Sequence, residues 1–206
     1  LIEAKFGNWK SGELPGPVSI TEPDFKGREF VEKNMTPVKI GIVGFRTVPA
    51  GHEDEITLNL AAQLLTNESK TGLMDYLQID GSIQDVGIHN MNFVDHGGAN
   101  FYFFPLYGGL QTLDEAEGLI KKEIEKLKNG DFDEQLLNAV KLTMTRQHET
   151  NIENMEGRLF NLIDVYINNS DWKNIIDWPE KLNNITKEDV VEVANKYFKD
   201  NYISFH

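Results

Sequence analysis

The spacing of apolar side chains separates the chain into strand-like and helix-like segments. Residues 38–46 form an apolar, β-branched run between two prolines, which predicts a strand. Residues 83–93 and 99–107 predict two more strands joined by turn residues, and a last strand is predicted from Tyr202. The alternation slips near His89, which favours a β-bulge there.

Apolar residues that recur at intervals of three and four predict helices in much of the remaining chain. These helices cover residues 54–67, 72–79, 113–127, 133–150 and 154–168, and a last one begins at Thr186. Thr186 and Asp189 have the spacing of a capping box. The order of strands and helices predicts an α+β fold, a two-layer sandwich with helices packed on one face of a mostly antiparallel sheet.

Residues 11–36 are rich in proline and glycine, which break helices and central strands. We therefore predict that residues 1–36 are the tail of a preceding unit and a linker, and that residues 37–206 form the domain. The chain begins at Leu1 without an initiator methionine and ends in an alternating, strand-like run. We expect it to be a piece of a longer protein.

The charge of the chain limits its partners. Its 206 residues include 20 basic and 33 acidic ones, a net charge of −13, which repels polyanions and argues against nucleic acid. No apolar stretch approaches the ~18 residues of a membrane span. A chain without cysteine has no disulfide and no thiolate metal site. Residues 51–110 contain one basic residue, Lys70, against eight acidic ones, so this stretch either faces solvent or forms a wall toward a cationic peptide.

The five histidines lack the spacing of a helical zinc site. In H-x-x-E-H, two imidazoles four residues apart share one helix face. No two of His52, His89, His96, His148 and His206 are four apart, although His89 and His96 flank a predicted turn. A G-x-S-x-G nucleophile motif and a phosphate-binding loop are also absent from the sequence. The residues themselves predict no catalytic and no metal-binding side chain in this chain.

Several segments, taken in order, resemble one family. They are residues 6–15 (FGNWKSGELP), 44–54 (GFRTVPAGHED), 64–77 (with LLTN and GLMDYL), 131–139 (DFDEQLLNA) and 185–198 (ITKEDVVEVANKYF). Their order and spacing resemble the insulinase-like (pitrilysin) zinc metallopeptidases, which include the mitochondrial processing peptidases. The resemblance covers nearly the whole chain and implies the mitochondrial processing peptidase-like metallohydrolase fold.

The resemblance also implies where the chemistry of such an enzyme lies. The active unit of the family carries the inverted zinc motif, which this chain lacks. The opposite half of the family's clamshell places an Arg and a Tyr, seven residues apart, near the scissile bond. Gln78 and Asp85 occupy those two positions here. This chain therefore best fits the second unit of the first half, with Gln78 and Asp85 as candidate chamber-facing substrate contacts.

These expectations lead to one main hypothesis of function. The chain is a non-catalytic domain of a zinc endopeptidase that completes the substrate chamber and supports an upstream zinc-bearing domain. Its partners are then the other domains of the same polypeptide and an unfolded peptide substrate, and it binds no cofactor itself. Two alternatives stay open at this point: an assembly module from a family member that has lost protease activity, and an unrelated α+β domain that binds a small ligand.

Overall fold

Five strands and eight α-helices occur in the part of the chain that the computed structural model describes, residues 1–10, 12–13, 25–34, 37–168 and 170–206. The strands are β1 (Arg28–Val31), β2 (Gly41–Thr47), β3 (Asp85–Asn92), β4 (Gly97–Phe104) and β5 (Tyr202–Phe205). The helices are α1 (Ile2–Phe6), α2 (Glu55–Leu65), α3 (Asp75–Ile79), α4 (Leu113–Lys128), α5 (Glu134–Glu153), α6 (Met155–Ile167), α7 (Trp172–Asn184) and α8 (Lys187–Tyr197).

The strands form one mixed sheet in the order β1-β5-β2-β4-β3. β1 runs parallel to β5, and the other three neighbouring pairs are antiparallel. Helices α2, α3, α4 and α8 pack against one face of this sheet. The predicted α+β fold with a mostly antiparallel sheet is confirmed.

The core lies between the sheet and the helices because successive strand residues point to opposite faces. Phe101 and Phe103 of β4 are fully buried on the helix side. Leu60 of α2, Ile120 of α4 and Val190 of α8 are fully buried against them in the same cluster. Fully burying one such side chain contributes about 1.5–3 kcal/mol. α5 and α7 pack on α2, so they form a further tier of helices.

The capping box at the start of α8 is confirmed. The Thr186 hydroxyl accepts a hydrogen bond from the Asp189 backbone N–H at 3.2 Å, and the Asp189 carboxylate accepts one from the Thr186 N–H at 2.7 Å. Both bonds satisfy amide groups that have no partner inside the helix.

The β-bulge expected near His89 is wrong. β3 and β4 pair without interruption from Asp85 opposite Phe104 to Asn92 opposite Gly97. The alternation slips because two core-side positions of β3 hold polar residues, Asn90 and Asn92. Their side-chain amides donate to Asn59 at 3.2 Å and to Glu55 at 2.6 Å on α2, so the polar side chains are used in helix–sheet packing.

The region predicted as a linker contributes a strand to the sheet. β1 lies within residues 11–36 and pairs with β5 from Arg28 opposite Tyr202 to Val31 opposite Phe205. Residues 14–24 of that region lie outside the described residues. The domain boundary after residue 36 stays a prediction.

The periodicity analysis missed helix α7 because Pro179 lies inside it. A proline lacks the N–H that would bond the carbonyl four residues earlier, here that of Ile175. In the structure, His148 Nε2 lies 2.9 Å from the Ile175 oxygen, and a carbonyl can only accept, so the imidazole donates this bond. His148 also stacks on Trp178, with ring centroids 4.7 Å apart. A side chain from α5 therefore compensates for the interruption.

A buried carboxylate holds β1 and β5 to α4. Glu117 accepts hydrogen bonds from Ser204 at 2.5 Å, from Tyr202 at 2.9 Å and from Arg28 at 2.8 Å. Only 6% of its side chain is exposed. Burial by itself raises the pKa of the Glu117 carboxyl, but these hydrogen bonds and the positive charge of Arg28 outweigh burial and lower that pKa below its usual value.

We predict that Glu117→Gln lowers the free energy of unfolding at pH 7 by about 1–3 kcal/mol, because it weakens hydrogen bonds to a buried charge. In the wild type, the pKa of Glu117 is lower in the folded chain than in the unfolded chain, where it is near 4.5. As the pH falls, the Glu117 carboxyl therefore takes up its proton in the unfolded chain before it does so in the folded chain. The stability that Glu117 contributes is fully present above about pH 4.5 and is lost progressively below that pH. Urea denaturation at pH 7 and at about pH 3.5 should show the difference between wild type and variant narrowing at the lower pH.

Glu125→Gln is the matched control on the same helix. Glu125 is 53% exposed and pairs with Lys128 at 2.6 Å, and an exposed pair of this kind contributes little. We expect a loss below about 0.5 kcal/mol for this control. Equal losses for the two variants at pH 7 would contradict a stabilising role for the buried cluster.

Candidate functional site

The face of the sheet opposite the core is half-buried and offers a broad surface. By the alternation of the strands, it carries Ile42 of β2, Tyr102 and Phe104 of β4, and Ile203 and Phe205 of β5. Each of these side chains is partly exposed, in contrast to the buried residues between them. We call this surface the open sheet face.

Two glycines leave room for larger side chains on the open sheet face. A Cβ at Gly87 would collide with the phenol of Tyr102, so the aromatic ring lies directly across the glycine backbone. A Cβ at Gly44 would lie 2.7 Å from Asn100 Oδ1 and 2.8 Å from Ile203 Cγ2. The absence of side chains at these positions lets the larger neighbours lie along the sheet.

The structure does not bring the two candidate substrate contacts to the same face, because Asp85 lies on the open sheet face and Gln78 lies on α3, whose Leu77 packs into the core on the helix side. Asp85 begins the edge strand β3 opposite Phe104, which places it on the open sheet face. Its carboxylate lies 3.4 Å from Lys70 Nζ, and Lys70 also donates to the Val86 carbonyl at 3.0 Å. Gln78 is half-buried near the end of α3. The one basic residue of the acidic stretch therefore neutralises part of the Asp85 charge.

Other acidic residues of this stretch serve the fold. Asp75 is fully buried and accepts hydrogen bonds from the Thr66 hydroxyl at 2.8 Å and the Gly72 N–H at 2.8 Å, which fixes the loop between α2 and α3. Asp54 accepts from Lys196 Nζ at 2.7 Å and from the Tyr197 hydroxyl at 2.6 Å, which joins α2 to α8. Asp75 and Asp54 therefore stabilise a loop and a helix–helix contact, and their charges are not available to attract a cationic peptide.

The hydrogen bonds that join Asp54 to α8 also lower the pKa of its carboxyl. Partial burial raises the pKa of its carboxyl, but the hydrogen bonds from Lys196 and Tyr197 have the larger combined effect. The bond to Asp54 raises the pKa of the Lys196 ammonium in turn. An ion pair that stays charged over a wide pH range suits a structural tie better than proton transfer.

The histidines do not converge on one point. His89 pairs with Asn100 in the sheet, and His96 lies in the turn after β3, so the two do not face each other across the hairpin. The ring of His52 accepts a hydrogen bond from the Asp54 N–H at 3.0 Å. His148 completes α7, as described above.

One group of three possible metal ligands occurs among the described residues: Asp114, Glu117 and His206, with ligand atoms within 4.8 Å of one another. A nitrogen of Arg28 lies 2.9 Å from Asp114 Oδ1 and 2.8 Å from Glu117 Oε2, where a cation would bind. Since the guanidinium already neutralises both carboxylates, this donor set does not fit zinc. The cluster stabilises the sheet edge.

Sequence reasoning missed this cluster, and no sequence signal marks it. Arg28 lies in the predicted linker, 89 positions before Glu117 and 176 before Ser204. No spacing rule connects residues so far apart.

Among the described residues, no helix is both long and apolar enough to cross a membrane.

Known proteins are similar to this chain in sequence and fold. The zinc protease PqqE of Helicobacter pylori is 26% identical over 194 residues, which cover 91% of this chain and 42% of that protein. The crystal structure of a protease from H. pylori matches with a TM-score of 0.86 at 22% identity, over 98% of this chain and 50% of that one. An inactive peptidase domain from Bordetella parapertussis matches with a TM-score of 0.69 at 19% identity, over 84% of this chain and 91% of that one.

The chain thus spans about half the length of the two H. pylori relatives, 42% and 50%. A family model described as the peptidase M16 inactive domain matches residues 1–144. That match covers well over half of the chain and agrees with the insulinase-like resemblance of its sequence. This chain therefore belongs to the peptidase M16 family, as an inactive domain.

Proposed function

We propose that this chain is the non-catalytic domain of a zinc endopeptidase that acts on unfolded peptides. In this proposal the open sheet face completes the wall of a substrate chamber, and the rest of the domain supports an upstream zinc-bearing domain. Asp85 is proposed to contact the substrate from the open sheet face, and Gln78 is proposed as a second contact from α3, next to the edge strand β3. The observation that carries the proposal is the open sheet face itself, a partly apolar surface beside an edge strand.

The chemistry of the described residues supports a non-catalytic role. The acids Asp54, Asp75 and Glu117 are tied into hydrogen bonds within the fold, and Arg28 takes the place of a cation between Asp114 and Glu117. In the longer protein, zinc in the preceding domain would supply an activated water for attack on a peptide carbonyl. The relative PqqE is a zinc protease, which supports the proposal that the preceding domain binds zinc and this domain does not.

The first test compares the full-length protein with the isolated 206-residue chain. We expect about one zinc per full-length molecule by elemental analysis and chelator-sensitive cleavage of unfolded peptides. The isolated chain should hold no stoichiometric zinc and cleave nothing after rigorous purification. Tightly held zinc in the isolated chain would overturn the proposal. A full-length protein without zinc or cleavage would instead favour the assembly module.

The chamber role is tested by photo-crosslinking in the full-length protein. Phe104, on the open sheet face, is replaced by p-benzoylphenylalanine, and the protein is illuminated with a labelled unfolded peptide. We expect a crosslink at this position because the benzophenone would face the bound peptide. Leu142 on α5, which is 51% exposed on the helix side, is the matched control and should give none. Equal labelling at both positions would count against a chamber on the sheet side.

The proposed contacts are tested by charge and salt. Asp85→Asn should reduce kcat/KM for cationic peptides roughly two- to fivefold relative to neutral peptides, the effect expected of one partly exposed charge. The difference should shrink as the ionic strength rises, because salt screens exposed charges. Gln78→Ala should raise KM for both kinds of peptide, since it removes a polar contact and no charge.

Asp177→Asn on α7 is the control for Asp85. Asp177 is 37% exposed and lies 3.9 Å from Lys173, whereas Asp85 is 41% exposed and lies 3.4 Å from Lys70. The two sites thus match in exposure and in pairing, but they lie on different sides of the domain. If both variants have the same effect on cationic peptides, Asp85 contacts no substrate.

A further inference from the structure

Helix α6 packs on α5 and α7, and no residue of α6 is buried. Gly157, Asn161 and Val165 are half-buried and recur every four residues, so they lie along one face of the helix. This narrow face, without a large apolar side chain, is the side of α6 that faces its own domain.

The outward side of α6 is strongly apolar. Its large side chains are 40–87% exposed and comprise Met155, Leu159, Phe160, Leu162, Ile163, Tyr166 and Ile167. We call these seven residues the α6 apolar face. A surface helix normally turns its apolar stripe toward the core, whereas α6 turns its apolar stripe toward water.

The α6 apolar face is as large as the largest apolar patch of a typical monomer. Its seven side chains expose on the order of 500 Å² of apolar area, and a patch of this size is often functional. A groove of about 570 Å³ between α5 and α6 adjoins it. Phe160 forms part of one wall, and Arg146, Gln147 and Asn151 of α5 line the other. The surface thus combines an apolar ridge with a polar-lined groove.

We propose that the α6 apolar face is the docking surface for the other half of the longer protein. This inference rests on the proposed function, since it takes that half to be the partner. The two H. pylori relatives are about twice the length of this chain, because the chain covers 42% of PqqE and 50% of the H. pylori structure. In a protein built like these relatives, a second half of comparable length is tethered to this domain and is available to cover the α6 apolar face.

A second copy of this chain is the less suitable occupant. Each copy carries a net charge of −13, so two copies repel each other, and the repulsion opposes a contact of modest area. A stable complex of free proteins buries about 800 Å² on each partner, more than α6 alone offers. A tethered partner has an effective concentration near millimolar, so a smaller surface is enough to hold it in place.

Hydrogen–deuterium exchange tests the docking directly. The isolated chain is a valid reference, because an inactive peptidase domain of nearly matching extent, from B. parapertussis, crystallises as a separate chain with this fold. We expect α6 amides to exchange at least about tenfold more slowly in the full-length protein than in the isolated chain. Equal exchange of α6 in the two proteins would overturn the inference.

The triple variant Leu159→Ser, Ile163→Ser and Tyr166→Ser tests which side chains carry the contact. None of the three is buried in the isolated chain, so its melting temperature should change by no more than about 2 °C. In the full-length protein the variant should lose the slow exchange of α6 and melt at a lower temperature. If the variant destabilises the isolated chain, the wild-type exchange comparison still decides the question.

Val94→Ser, Tyr107→Ser and Leu110→Ser together form the matched control. These residues are 61%, 72% and 84% exposed, so the control removes as much exposed apolar surface outside α6. It should leave the exchange of α6 in the full-length protein unchanged. An equal loss of protection in the control would mean that α6 is not the specific contact, and would overturn the inference.

Two further outcomes name other occupants and would overturn the inference. An isolated chain that is dimeric by light scattering, with a monomeric triple variant, would assign the surface to a second copy. Protection of α6 that develops only after an unfolded peptide is added would assign it to substrate. Slow exchange of α6 in a full-length protein without zinc or cleavage would support the docking and reject the proposed enzyme. A full-length protein that holds zinc and cleaves peptides, but whose α6 exchanges as fast as in the isolated chain, would support the proposed enzyme and reject the docking.

Discussion

Burial of one face of the five-stranded sheet beneath helices is the constraint on which the remaining structure depends. Phe101 and Phe103 are shielded from water because α2, α4 and α8 cover them. The alternation of side chains along β4 then directs Tyr102 and Phe104 to the opposite face. The core and the open sheet face are therefore two consequences of one pattern. The glycines of the sheet follow from the same geometry, because large side chains lie across them.

Buried and half-buried charged groups in this domain join elements that are distant in sequence. Glu117 connects α4 with β1 and β5, Asp54 connects α2 with α8, and Lys141 of α5 donates to the Asn183 carbonyl at 3.1 Å near the end of α7. Each group is satisfied within the fold, as burial of charge requires. Side chains committed in this way do not provide a free base, nucleophile or metal ligand, which agrees with the inactive-domain family of the chain.

The two surfaces on which our proposals rest differ in character. The open sheet face is mixed in polarity, with an edge strand at its border, and it suits an extended peptide. The α6 apolar face is a ridge with an adjoining groove, and it suits a folded partner. In our proposals, substrate and neighbouring domain therefore contact the chain through different surfaces and do not compete.

The sequence alone determined the elements whose patterns are local, the fold class and the family. α4, α5 and α8 follow from apolar spacing, the capping box of α8 from two residues three apart, and the missing zinc motif from reading the histidines. Only the tertiary structure decided the rest. β1 is a strand because β5 pairs with it, and α7 accommodates Pro179 because His148 bonds the Ile175 carbonyl. Arg28 meets Glu117 across 89 positions, and α6 turns its apolar side outward. Local periodicity specifies which residues form an element, but which side of it faces a neighbour depends on contacts between distant segments.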